Sequence, residues 1–188
     1  MNTPAHLVIG AAAFARPGRP GVTWAALAGG FLPDLSLFVM IAGGTLMGYP
    51  ASAIFGQLFY SDTWQAVFSV DNSFVLWGAA LAAALWLRSP WAVALTGAAL
   101  LHLAVDFPLH GQDARPMFWP LTDWKFHSPL SYWEPSRGGG WIAPLEKGLT
   151  AVLTLWLVLR FRSWRARAGF LALAAVELMP HLIWMRLF

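Results

Sequence analysis

An all-α integral membrane bundle of about five to six helices, with a long aromatic loop as a lid, is predicted by three features of this sequence. Of its 188 residues, 58% are hydrophobic and 11% charged, against roughly 25% charged in a soluble domain. The apolar residues gather in runs near the roughly 20 residues that a membrane-crossing helix needs. Arginines mark every second junction between those runs, as expected of a chain threaded to and fro with its basic loops on one side.

The first apolar segment, about 3–16, is short for a span and is expected either half-inserted or packed inside the bundle. The second, about 22–48, is interrupted at Pro33-Asp34. The third covers about 72–87 and the fourth about 90–107. A polar, aromatic, proline- and glycine-rich loop follows over about 108–140. The fifth helix is expected at about 141–160 and the sixth at about 168–187. Residues 1–188 read as a single transmembrane domain. Small residues such as Gly29-Gly30, Ala82-Ala83-Ala84 and Gly97-Ala98-Ala99 allow close helix approach. Trp24, Trp86, Trp91, Trp141, Trp164 and Trp184 fall near helix ends, where indole favours the headgroup layer.

Charge sets the expected orientation. Arg16 and Arg19, then Arg88, then Arg160, Arg162, Arg165 and Arg167 occupy alternate junctions, which places those junctions in the cytoplasm. Both termini and the long loop then face the other side, the periplasm of a bacterial inner membrane. Leu7–Ala15 imitates a signal peptide, but its arginines follow the apolar run instead of preceding it, so the segment is expected to be retained. There are no cysteines, which excludes a disulfide framework, a thiolate metal site and a cysteine nucleophile. The isoelectric point of 9.8 reflects the arginine cluster more than an extended basic face, so no nucleic-acid partner is expected. Phosphate-loop, serine-elbow and His-Glu-x-x-His motifs are absent.

The chemistry concentrates in His102, Asp106, His110 and Asp113, at the end of the fourth apolar run. His102 and Asp106 are four apart and share a helical face. Ionisable groups inside an apolar segment are costly and usually functional, and imidazole with carboxylate suits a divalent ion, zinc above all. For His102 and Asp106 alone, a structural hydrogen bond between helices explains the pair equally well. The threading brings His6, at the outer end of the first helix, and Glu146, in the first turns of the fifth, to the same membrane depth. Asp34 lies deeper, where the proline before it can turn its carboxylate inward; a helix N-cap is its ordinary alternative. The expected metal ligands are His6, Asp34, His102, Asp106 and His110, with Asp34 or Glu146 as the catalytic base. Arg115 and Lys125, with Arg137 nearby, are expected to hold an anionic substrate group. His127 reads as a surface histidine. Glu177 and His181 form a second pair four apart, ranked below the His102 group.

At these residues the chain resembles the bacterial membrane-bound metal-dependent hydrolase family, itself distantly similar to the zinc-dependent phospholipase C and P1 nuclease group. The resemblance rests on His6 in Thr3-Pro4-Ala5-His6-Leu7-Val8-Ile9-Gly10, on Pro33-Asp34 after a glycine pair, on His102-x-x-x-Asp106, and on His110. It implies an all-helical bundle with a zinc-type site of His6, Asp34, His102 and Asp106. The family's histidine-rich segment between the second and third motifs is missing here, which leaves Asp62 or Asp71 as substitutes.

The expected function is therefore that of an integral membrane metal-dependent hydrolase, with metal-activated water attacking a phosphoester or ester of a membrane lipid or lipid-like substrate. The alternative is a non-enzymatic membrane subunit or assembly factor in a larger complex, whose polar cluster is structural. A transporter component, with His102, Asp106 and Glu177 along a polar path, ranks third.

Overall fold

The computed structural model describes residues 1–179, and all of its regular structure is helical. Helix α1 (Thr3–Phe14) leads through a turn at Gly18 to α2 (Pro20–Phe31), a 3-10 turn (Leu32–Asp34) and α3 (Leu35–Leu46). A short turn α4 (Ala51–Ala53) runs into a π-helical turn (Ile54–Leu58) and then α5 (Asp62–Asp71) and α6 (Phe74–Trp86). Helix α7 (Pro90–Asp106) ends in a 3-10 turn (Phe107–Leu109); after the long loop come α8 (Gly139–Arg160) and α9 (Trp164–Leu178).

Local chemistry explains most of these boundaries. Pro20 and Pro90 open α2 and α7, the position where a missing N–H costs nothing. Ser61 and Ser73 cap α5 and α6 by accepting from Trp64 N and Leu76 N, the ordinary serine N-cap. Four helical stretches are long and apolar enough to cross a membrane: Pro20–Leu46, Asp62–Trp86, Pro90–Leu109 and Gly139–Arg160. This is a membrane protein composition arranged as a membrane protein.

Two sequence expectations need correction. The third expected helix appears as α6 (Phe74–Trp86), but the junction before it is not loop: the segment between Tyr49 and Asp71 is largely α4, the π turn and α5. That stretch mixes Gln65, Ser61 and Asp62 with aromatics, and its amphipathic pattern hides in a composition that reads as loop. The sixth helix starts at Trp164, four residues earlier than expected; Trp184 and His181 lie outside the described residues. The short first segment resolves to packing inside the bundle: Ala5, Val8 and Ala11 are wholly buried.

Helices α1, α2 and α7 form the tight centre. A Cβ on Gly29 would lie 2.0 Å from Leu95 O, and one on Gly30 would lie 2.7 Å from His6 O. Only glycine lets these backbones approach so closely, the device by which membrane helices pack without a hydrophobic driving force.

The chain direction sorts the molecule into two ends. Ala15, Val22, Ala94, Phe161 and Phe170 share one core cluster, and Arg19 borders the same surface cleft as Pro90 and Trp91. The three arginine-bearing junctions therefore gather at one end of the bundle. Trp24, Trp86, Trp91 and Trp164 are exposed there. His6, Asp34 and His102 lie toward the opposite end of α1, of the α2–α3 junction and of α7. The long loop caps that end. It is folded: Ser128 N donates to His110 O, Tyr132 N to Leu109 O and Ser131 N to Arg137 O, each at 3.0 Å. Phe107 stacks on Phe126, with ring centroids 4.8 Å apart, and meets Phe74 and Phe118 edge-on.

Candidate metal centre

His6, on α1, and His102, on α7, are each 1% exposed, and their rings stack with centroids 3.6 Å apart. His102 Nδ1 lies 2.8 Å from Gly30 O. A carbonyl only accepts, so Nδ1 carries the proton and Nε2 presents a lone pair. That lone pair points at two carboxylates, Asp106 Oδ2 at 3.6 Å and Asp34 Oδ1 at 3.7 Å, and makes no hydrogen bond. His6 Nε2 lies 3.0 Å from Asp106 Oδ1 but is likewise not aligned for a hydrogen bond. Buried polar atoms normally find partners. Here two imidazole nitrogens are left without a partner beside the Asp106 carboxylate: one ligand atom from each of His6, His102 and Asp106 lies within 4.8 Å of the others. Acceptor atoms aimed at a shared point, with one imidazole fixed through its far nitrogen by a carbonyl, are what a metal ligand set needs. These three residues can hold a metal ion.

Asp34 is adjacent. It is 6% exposed; its Oδ2 accepts from Thr3 Oγ1 at 2.6 Å, and its Oδ1 faces Arg115 NH1 at 4.0 Å. The N-cap alternative for Asp34 is not realised, since its side chain makes no cap hydrogen bond. Asp71 does that work from another helix, accepting from Ser36 N at 3.0 Å. Asp71 is thereby committed to α3, and Asp62 sits in the exposed first turn of α5. Neither substitutes for a missing ligand.

His110 is close but differently employed. Its Nε2 lies 3.0 Å from Asp106 Oδ2 and its Nδ1 2.6 Å from Asp113 Oδ2. Burial disfavours its charge, but the Asp106 carboxylate and then Asp113 outweigh that, and the pKa rises above the ordinary histidine value. With a carboxylate at each nitrogen, both N–H groups donate, so His110 braces Asp106 and offers no lone pair. The Met1 amino group lies 2.7 Å from Asp106 Oδ1.

The remaining sequence candidates divide. Arg115 is 6% exposed; it donates to Asn72 Oδ1 at 2.7 Å and lies over the Phe68 ring at 5.2 Å. Its Nε has no partner, and it borders the cavity described next. Lys125 donates instead to Gln65 Oε1 at 2.7 Å, tying the loop to α5. Arg137 pairs with Glu134 at 3.1 Å. Glu146 accepts from Asn2 N at 2.7 Å, on the α1–α8 side, and does not border the cavity. His127 is exposed, with Nδ1 2.9 Å from Gly111 O.

A cavity of about 470 Å³ opens onto the cluster, within the range of roughly 300–1,000 Å³ typical of small-molecule sites. Its polar end is Asp34, Asp106, His110, Asp113 and Arg115; its apolar wall includes Leu37, Phe38, Ile41, Phe55 and Phe59. The two histidines lie behind the aspartates. Sequence reasoning missed Asn72, 1% exposed, which ties Pro33 O, Phe68 O and Arg115 together; an Asn beside Asp71 at the expected start of the third helix gives no signal of such a role. Comparisons of the chain with protein-family models, with curated proteins and with solved structures return no match.

Proposed function

We propose that this protein is an integral membrane metal-dependent hydrolase acting on a phosphoester or ester of a lipid-like substrate, as the resemblance to the membrane-bound hydrolase family implies. One observation carries the reading: the unpaired nitrogens of His6 and His102 converge with Asp106 at the acidic end of a cavity whose other walls are apolar. Mixed nitrogen and oxygen donors in that number suit zinc, whose catalytic sites typically keep three protein ligands and an open position. A divalent ion held there supplies Lewis acidity toward water and toward a substrate oxygen.

The chain's own residues take the other roles. Asp34 borders the cavity beside the ligand set and is placed to accept a proton from the attacking water. Its hydrogen bond from Thr3 fixes one oxygen and leaves the other directed at the cluster. Arg115, buried and with a free Nε, offers a cation to an anionic leaving or headgroup oxygen. Leu37, Phe38, Ile41 and Phe59 exclude water and receive an alkyl chain. The site end faces the periplasm of a bacterial inner membrane, with the arginine end in the cytoplasm.

The test is elemental analysis of the purified, dialysed protein together with turnover of chromogenic phosphodiester and short-chain ester substrates in detergent. Near-stoichiometric zinc and hydrolysis are expected, and His102→Ala should lose both. Metal-free wild-type protein would overturn the reading. Bound metal without turnover of either ester class would favour a structural site in a non-enzymatic subunit.

A further inference from the structure

A second group of buried polar side chains lies between α1, α8 and α9, outside the cavity. Glu146, Thr150 and Thr154 fall at four-residue spacing on α8, so they share one face; they are 4%, 0% and 3% exposed. Glu177, on α9, is 1% exposed. The two helices run antiparallel from the turn at 161–163, which brings Glu177 level with the Glu146–Thr150 turn. Asn2 joins the two carboxylates: its backbone N donates to Glu146 Oε1 at 2.7 Å, and its Nδ2 to Glu177 Oε1 at 3.0 Å and to Tyr132 Oη at 2.7 Å.

What remains is a row of oxygens with nothing to bind. Glu146 Oε2, Glu177 Oε2, Thr150 Oγ1 and Thr154 Oγ1 are all buried and have no hydrogen-bond partner among the described residues. The threonines are informative by contrast. Thr45 and Thr96, also helical, return their hydroxyls to the carbonyls of Ile41 and Ala92, the usual resort of a helical threonine. Thr150 and Thr154 make no such bond. Unsatisfied polar groups at membrane depth are costly, and two carboxylates in one knot repel each other. Burial, followed by the charge of Glu146, raises the Tyr132 phenol pKa, so Tyr132 stays a neutral hydroxyl at the rim.

We propose that Glu146, Thr150 and Glu177 form a second cation site, distinct from the histidine centre, which takes a hard cation such as sodium or calcium; Thr154, a further turn along α8, lies too far from Glu146 to share the ion. Carboxylate and hydroxyl oxygens without nitrogen or sulfur are the donor set of hard ions. Such an ion offsets the charge of the paired carboxylates and gives the Thr150 hydroxyl a partner. It locks α9 to α8 and α1, and it does so whether or not the histidine centre is catalytic.

The experiment is thermal melting of the purified full chain in detergent, with sodium titrated against choline at constant ionic strength and with separate calcium and magnesium arms. A saturable, cation-specific rise in Tm is expected for the wild type. Thr150→Val and Glu177→Gln should each weaken the apparent affinity by about tenfold or more while leaving the zinc content of the His6–His102 centre unchanged; Thr150→Ala replaces Thr150→Val if the latter fails to fold. A wild-type Tm that follows ionic strength alone overturns the proposal. So does a cation response that survives in either variant, since the ion then sits elsewhere, for instance among the cavity aspartates.

Discussion

At the residue scale, the function of a side chain here depends on what occupies its far atom. His102 and His110 both face Asp106, yet a carbonyl behind His102 leaves it a lone pair, while Asp113 behind His110 makes it a double donor. The sequence showed both as histidines near one aspartate and could not separate them, because Gly30 O comes from a helix 72 positions away. Asp34 and Asp71 exchange roles for the same reason: proximity in sequence favours Asp34 as the cap, and tertiary packing hands that bond to Asp71. Asn72 gives a direct test. Asn72→Ala removes the bonds to Pro33 O and Phe68 O and leaves the buried Arg115 short of an acceptor. A loss of about 2–3 kcal/mol in chemical denaturation in detergent is expected. A change within about 0.5 kcal/mol, the size of an ordinary surface substitution, would mean that the Arg115 network carries no stability.

Helix existence was largely legible, because long apolar runs and their proline starts are local signals. The second segment and its break at Pro33-Asp34, the fourth and the fifth all appear within a few residues of where the sequence places them. The helices between Ala51 and Asp71 were not legible, since their pattern depends on packing Ile54, Phe59, Trp64 and Phe68 against α3. Glycines at helix contacts separate packing from propensity. Gly29→Ala puts a methyl group against the Leu95 carbonyl, and a rigid backbone cannot yield as a side chain would. A destabilisation of about 3 kcal/mol is expected, at the upper end for overpacking. Gly43→Ala, on α3 with nothing within 4 Å of the added methyl, should instead stabilise by about 0.4–1 kcal/mol through the unfolded chain. Equal effects from the two substitutions, in melts run side by side, would refute the close-approach argument.

At the scale of the whole molecule, the two-ended charge distribution supports the proposed orientation of the site in the bilayer. The chain has no native cysteine, so single cysteines report accessibility cleanly. Leu121, 78% exposed in the loop, and Arg165, exposed beyond the α8–α9 turn, are suitable probes. Leu121→Cys should react with an impermeant maleimide added outside spheroplasts, and Arg165→Cys only after the membrane is opened; the reverse pattern would invert the proposed orientation. The sequence by itself determined the helical membrane class, the alternation of arginine junctions and the residue types of a candidate metal site, since hydropathy, charge and donor chemistry are properties of each residue and its near neighbours. Only the tertiary structure decided which donors keep a free lone pair, which carboxylate caps a helix, and that Glu146 turns toward α1 and α9 instead of the cavity. Those outcomes depend on atoms that chain topology brings together from distant positions, and no local pattern records them.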